Sequence, residues 1–304
     1  SMAPQLNIGM VGLDTSHCLA FTRILNDRRD EYHISGAEVV AAYPGGSESF
    51  SHSRNRVQGF TQQMGDEYGV QIYDDIATLT RHVDAILLES VDGRQHLEQF
   101  EQLAIGKPVY IDKPLATTTA DAYALVDIAA QTGTPIMSCS ALRYAAGIAD
   151  LGENTSILAG EAFGPAALLP DYPGLFWYGI HGAEILFSFM GAGCASARCI
   201  AYPDLDVVIG EWEDGRMGIL HGTRIDDREF GCVLHTTDGA RYGVAAPQPP
   251  YYYLLLRQVM AFFHTGVSPI DIRETLDIIA FLEAAEQSRA DGGAPVALAE
   301  APES

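Results

Sequence analysis

The segment GKPVYIDKPL, residues 106–115, contains Lys107 and Lys113, and no other lysine occurs among the eighteen basic residues of this 304-residue chain. Arginine stays protonated at any working pH, whereas a partly buried ammonium can be driven toward neutrality and then exchange a proton. A lysine kept against such a bias points to acid–base chemistry. Lys113 is the better candidate. It follows an apolar run, and Pro114 behind it fixes the chain and aims the side chain outward from a strand end. Lys107, directly after Gly106, reads as a solvated turn residue. Other groups with reactive side chains are Asp14 to His17 in the turn GLDTSH, Ser90, Asp92 and His96 in SVDGRQH, and His181 with Glu184 three residues on.

These groups need elements to position them. From Asn7 the order is an apolar run NIGMVG, a helically spaced SHCLAFTRIL and a β-rich AEVVAAY, which predicts β, α, β and hence a parallel sheet with right-handed crossovers. The alternation continues with a helix over 53–68, strands at VQIY and VDAILLES, a helix at RQHLEQFEQLAIG and a strand at PVYID. The helix TTADAYALVDIAAQTG and the strand PIMSCSALRY follow. Ligands of such sheets bind outside the carboxyl ends of the strands, which is where Ser90, Asp112 and Lys113 fall.

The pattern changes after about residue 142. Helical stretches are expected over 145–159 and 178–191, followed by five strands from CASARCIAY to RYGVAA and two closing helices from YYYLLLRQ and IRETLDII. Asp214-Gly215 and Asp238-Gly239 fit hairpin turns in which both central residues take positive φ. The expected fold class is therefore α/β: a Rossmann-like parallel-sheet domain over 1–142, then an α+β domain over 143–304 with an open, mainly antiparallel sheet.

Composition narrows the partners. With 47% hydrophobic and 19% charged residues, the chain reads as globular, and no apolar run reaches the roughly 18 residues needed to span a bilayer. A formal charge of −22 repels phosphate backbones and anionic lipid, so neither nucleic acid nor membrane is an expected partner. SMAPQL shows no basic n-region ahead of an apolar h-region, and the five cysteines lack CxxC spacing, so the expected compartment is the cytoplasm, without a disulfide framework.

A dinucleotide site needs bare amides where the first strand meets the first helix. Gly12 fits the first glycine, but Asp14 and His17 stand where the second and third would be. A carboxylate about 4 Å from a phosphate would be repelled by roughly 4 kcal/mol at an effective dielectric of 20, so Asp14 must turn away or exclude the cofactor. Asp14, Thr15 or Ser16 is alternatively the helix cap. After the second strand no acid stands ready for the ribose hydroxyls. Ser47 with Arg54 or Arg56 could instead receive a 2′-phosphate, which leans toward NADP over NAD, or could form a polar surface loop.

The chain resembles the glucose-fructose oxidoreductase and inositol dehydrogenase family, Gfo/Idh/MocA. GKPVYIDKPLA is similar to its AGKHVxxEKPLA signature, with Asp112 in the place of the glutamate. DGRQH, ending at His96, is similar to its PNxxH turn, YGIHGAEILFSFMG to its GxHxxD helix, and SPIDIRETLD onward to its carboxyl-terminal helix and tail. The resemblance implies hydride transfer between NAD or NADP and a sugar, cyclitol or related polyol hydroxyl. By position, the catalytic pair it implies is Lys113 and His181. Gly12, Asp14, Thr15, Ser16, Ser47, Arg54, Ser90, Asp92, His96, Asp112 and Lys113 are then expected at the cofactor, and Arg143, Trp177, Tyr178, His181 and Glu184 at the substrate. Where the family often carries an aspartate four residues before the histidine, this chain has Trp177, whose indole donates a hydrogen bond but accepts no proton.

Two other function classes stay open on the residues. One is a metal-dependent lyase or isomerase using His181 and Glu184 with Asp14 and His17; hydride transfer itself needs no metal. The other is a binding protein that has lost the cofactor. An open sheet face also needs covering, so a homodimer or homotetramer through the carboxyl-terminal sheet is expected, as the resemblance also implies.

Overall fold

A computed structural model describes residues 4–303 and divides the chain into two compact units. The first comprises the chain up to Ala116, together with Asp121–Ser138 and Tyr252–Ile270; the second comprises Thr117–Ala120, Cys139–Tyr251 and Asp271 onward.

The first unit is built on strands β1 (Leu6–Val11), β2 (Ala37–Tyr43), β3 (Gln71–Ile72), β4 (Ala85–Leu88), β5 (Val109–Asp112) and β6 (Ile136–Cys139). Their spatial order is β3-β2-β1-β4-β5-β6, with β1 parallel to both β2 and β4 and β4 parallel to β5. This is the doubly wound order, whose reversal between β1 and β4 opens a crevice at their carboxyl ends. Every residue of β4 and β5 is buried, as expected of parallel strands covered on both faces. The connecting helices are α1 (His17–Asn26), α2 (Ser51–Arg54), α3 (Val57–Tyr68), α4 (Ile76–Arg81), α5 (His96–Leu103) and α6 (Thr119–Thr132). The helix expected over 53–68 is thus two helices, broken at Asn55 and Arg56. Tyr252 and Tyr253 pack on the rings of His17, Phe21 and Tyr32, so the helix that carries them is a late addition to this unit.

The second unit holds β7 (Ile157–Pro165), α7 (Ile180–Met190), β8 (Cys194–Ala201), β9 (Leu205–Trp212), β10 (Met217–Thr223), β11 (Gly231–Thr236) and β12 (Gly239–Val244). After α8 (Tyr251–Thr265), the chain returns as α9 (Ile272–Ala290) and β13 (Val296–Ala297). The sheet order is β12-β11-β7-β10-β9-β8-β13, antiparallel except for the β7–β10 pair. Burial alternates along β7, β9 and β10, so one face packs on α7 and α9 while Phe163, Val207, Ile209, Ile219 and Val233 remain half-exposed on the other.

Three local expectations are corrected. Residues 145–156 form turns, not a helix, and 157–165 are a strand that the alternation did not reveal: its inward positions are Gly160, Ala162 and Gly164, too small to mark a hydrophobic face. At both Asp-Gly turns only the glycine takes positive φ, +90° at Gly215 and +103° at Gly239. Lys107 is no loosely solvated residue, because its ammonium donates to the Thr80 carbonyl at 2.7 Å. The five cysteines are all free and buried, and no helix among the described residues is long and apolar enough to cross a membrane.

Candidate active site

Gly12 leaves β1 at φ +94°, and a Cβ there would lie 2.4 Å from the backbone nitrogen of Ser90, which leaves β4. Only glycine permits this approach. Asp14 follows, fully buried, and accepts from Ser53 Oγ at 2.7 Å and from the Val91 amide at 3.0 Å. Burial pushes its carboxyl up from the usual range, and these two donors oppose that shift. The carboxylate that threatened a phosphate is therefore tied inward. Of the three capping candidates Thr15 acts: its Oγ1 accepts from the His17 amide at 3.3 Å, whereas Ser16, at the cap position, makes no side-chain cap bond.

Ser47 donates to Asp92 Oδ2 at 2.8 Å, and Asp92 also accepts from the Arg94 amide and Nε. That engagement turns Ser47 away from a 2′-phosphate. Arg54 lies exposed with its guanidinium on the Glu48 carbonyl at 2.6 Å, and Arg56 donates to the His52 carbonyl at 2.7 Å. His96 is fully buried between two carbonyls, Ser90 O at 2.7 Å from Nε2 and Leu115 O at 3.2 Å from Nδ1, so it joins the exits of β4 and β5. The turn resembling PNxxH thus holds the strand ends in register.

The residues fit a dinucleotide at this edge in an unusual way. Thr15 already satisfies the first helical amides, but Ser90 Oγ, Gln95 Oε1 and Gln99 Oε1 are buried without hydrogen-bond partners. Gly45 lies in the same place: a Cβ on it would meet Gln99 Nε2 at 3.4 Å and Gly12 Cα at 3.6 Å. Side-chain hydrogen-bonding capacity beside a glycine-lined approach replaces part of what bare amides supply elsewhere.

Beside this lies a cluster that the sequence showed only in pieces. His17 Nδ1 stands 2.6 Å from Asp112 Oδ2, and Asp112 Oδ1 accepts from the Lys113 amide at 2.8 Å. Glu89, at the exit of β4, is fully buried, and neither of its oxygens has a hydrogen-bond partner. Burial, then the charge of Asp112, pushes the Glu89 carboxyl well above the usual range. Burial would also raise Asp112, but the adjacent His17 and, beside it, Lys113 together outweigh it and hold that carboxyl at about 2. Lys113 is half-buried next to both. Burial lowers its affinity for a proton, and the two carboxylates partly restore it. By sequence, His17 stands only in the place of a glycine or as a remote ligand, and little marks Glu89. Its one signal is a carboxylate closing the apolar run VDAILL at the ligand-binding edge of a parallel sheet.

In the second unit, His181 sits at the second position of α7, with Nδ1 2.6 Å from Ser140 Oγ. Arg143 Nε donates to Glu184 Oε1 at 2.9 Å, and its NH2 group donates to Glu274. Burial pushes the Glu184 carboxyl up and Arg143 opposes this, so both expected substrate contacts are consumed by each other. Of the carboxylates considered for a metal-dependent lyase, Glu184 is held by Arg143 and Asp14 by Ser53 and the Val91 amide. Tyr178 stacks edge-on to His181 at 4.9 Å, and with Trp177 it lines a cleft of about 390 Å³ that Pro165, Asp226 and Arg228 complete.

Residues 6–139 match the oxidoreductase family with an NAD-binding Rossmann fold, GFO_IDH_MocA. No curated protein sequence matches. Among solved structures, the chain is similar to a myo-inositol dehydrogenase from Lactobacillus casei in complex with NAD(H) and myo-inositol, at 16% identity and a TM-score of 0.75, covering 100% of this chain and 99% of that one. It is also similar to GenD2 from gentamicin A biosynthesis in complex with NAD, at 15% identity and a TM-score of 0.78, covering 99% and 98%. For a probable dehydrogenase from Thermotoga maritima the identity is 17%, the TM-score 0.76 and the coverage 96% and 99%. The amino-terminal region is thus similar to the NAD-binding Rossmann domain of the Gfo/Idh/MocA oxidoreductases, and the whole chain shares its fold with these solved structures.

Proposed function

We propose that this chain is an NAD(P)-dependent oxidoreductase acting on a CH–OH group of a sugar, cyclitol or related polyol. The observation that carries this reading is Lys113: an amine half-buried beside Asp112 and Glu89, at the edge where ligands of the six-stranded sheet bind. Solved structures of the same fold in complex with NAD(H) and myo-inositol, or with NAD, support the cofactor and the substrate class.

When bound, the nicotinamide supplies the acceptor or donor of a hydride. Gly12, Ser90, Gln95 and Gln99 hold the dinucleotide. Lys113 takes or returns the hydroxyl proton, and Asp112 fixes the backbone that presents it. His181 is the second candidate for that transfer, with Ser140 setting the orientation of its ring. Trp177 and Tyr178 offer faces for the carbon side of a polyol ring. Arg143 and Glu184 brace the start of α7. With Ser47 engaged by Asp92, the lean to NADP rests on Arg54 and Arg56 alone. The half-exposed face of the second sheet fits a homodimer, which sedimentation at micromolar concentration would detect.

The test is a titration with NAD, NADH, NADP and NADPH followed by nicotinamide fluorescence, then turnover of a polyol panel by wild type and by Lys113→Met. Saturable binding with a fall in turnover of about a thousandfold in the variant is expected. Unchanged turnover by a folded Lys113→Met protein would contradict it.

A further inference from the structure

Buried carboxylates in a folded protein are compensated by hydrogen-bond donors, by a positive charge or by a metal ion, because an uncompensated one costs several kcal/mol. Glu89 has none of the first: both oxygens lack a donor although the residue is 0% exposed. The positive charge of Lys113 nearby offsets part of that cost, while burial still dominates. What faces Glu89 is a second carboxylate, Asp112, and the imidazole of His17. One ligand atom from each of the three lies within 4.8 Å of the others. Glu89 is thus a fully buried carboxyl group that no donor reaches, set against Asp112 in a cluster made of the donor types that bind metals.

We infer that His17, Glu89 and Asp112 form a binding site for a divalent ion of the Zn²⁺ or Mn²⁺ type. One imidazole nitrogen with two carboxylate oxygens suits a borderline ion better than Ca²⁺ or Mg²⁺, which prefer oxygen alone. Two carboxylates also balance a doubly charged ion. Three protein ligands leave at least one coordination position open, the arrangement of sites that bind or polarise an oxygen and not of purely structural ones. The ligands come from three separate elements: the start of α1, the exit of β4 and the end of β5, adjacent because the sheet order places β1, β4 and β5 side by side. His17, with a side chain 17% exposed, lies on the solvent side and offers an entry path. This set differs from the His181 and Glu184 set, whose carboxylate Arg143 occupies. The inference does not rest on hydride transfer.

The full-length protein, stripped with a chelator and re-equilibrated with Zn²⁺ or with Mn²⁺, is analysed for metal content and by calorimetry beside Glu89→Gln and Asp112→Asn. Uptake of one ion per chain is expected, with affinity at least about a hundredfold weaker in each variant. Should Glu89→Gln fold poorly, His17→Gln carries the same comparison, and Co²⁺ added to wild type gives a visible spectrum that each variant lacks. Absence of stoichiometric uptake by wild type, or equal uptake by wild type and variants, would overturn the site. Dinucleotide titrations run with and without the ion separate this result from the proposed function. An ion without dinucleotide binding contradicts only hydride transfer, and the reverse contradicts only the ion.

Discussion

Two buried acidic centres in this molecule are built in opposite ways. Asp206, at the start of β9, is 0% exposed and accepts from Arg224 NH1 and NH2 and from Arg289 NH1 and NH2, so each oxygen is met by guanidinium groups. Glu89, equally buried, has no donor at all and faces another carboxylate. Burial acts on both to favour the neutral acid. At Asp206 the two arginines outweigh it and hold the carboxyl below the usual range, whereas at Glu89 nothing does. The difference separates a cluster that fastens strands and α9 together from one left with unmet hydrogen-bonding capacity at the edge where ligands of a parallel sheet bind. A satisfied carboxyl reads as structure, an unsatisfied one as a site.

The largest effect that would break this contrast lies at Asp206. Asp206→Ala leaves two half-buried guanidinium groups without their fully buried partner and is expected to cost about 3–5 kcal/mol of stability, measured by denaturant titration. A loss below about 1 kcal/mol would remove the structural half of the comparison. The pH dependence follows in sign. A carboxyl held lower in the folded than in the unfolded chain contributes stability above its unfolded value near 4, and this is lost as pH falls through its depressed folded value. The wild-type margin over Asp206→Asn should therefore shrink on acidification below about pH 4 and remain flat from pH 5 to 8.

Glu89→Gln should behave in the opposite way. Replacing a buried carboxyl that no donor reaches is expected to leave stability within about 1 kcal/mol of wild type or to raise it. Destabilisation as large as that of Asp206→Ala would show Glu89 to be a structural partner after all. The smallest effect concerns cofactor choice. Arg54→Ala should weaken NADP binding by about tenfold, with little change for NAD, if its guanidinium faces a 2′-phosphate, and equal loss for both would refute that placement.

The parallel sheet was legible because β1, β4 and β5 are short apolar runs separated by helical spacing and turn residues. β7 was hidden, since its inward positions are glycine and alanine. Small residues there let α7 approach, as Leu186 and Met190 near Gly160 show, but they erase the alternation that signals a strand. The lysine segment drew attention to Lys113 by residue type alone. The pairing of His17 with Asp112 spans 95 positions, and Glu89 joins them only through the strand order, so no local spacing could reveal the cluster. Likewise Glu184 read as a ligand until Arg143, 41 residues earlier, proved to occupy it.

The central claim, that the edge formed by β1, β4 and β5 is a working dinucleotide site despite GLDTSH, is tested most directly by calorimetric titration of the wild-type chain with NAD(H) and NADP(H). Saturable binding of one nucleotide per chain, weakened by Gly12→Ala through the clash at Ser90, is the predicted result. Failure of all four nucleotides to bind folded protein would contradict it.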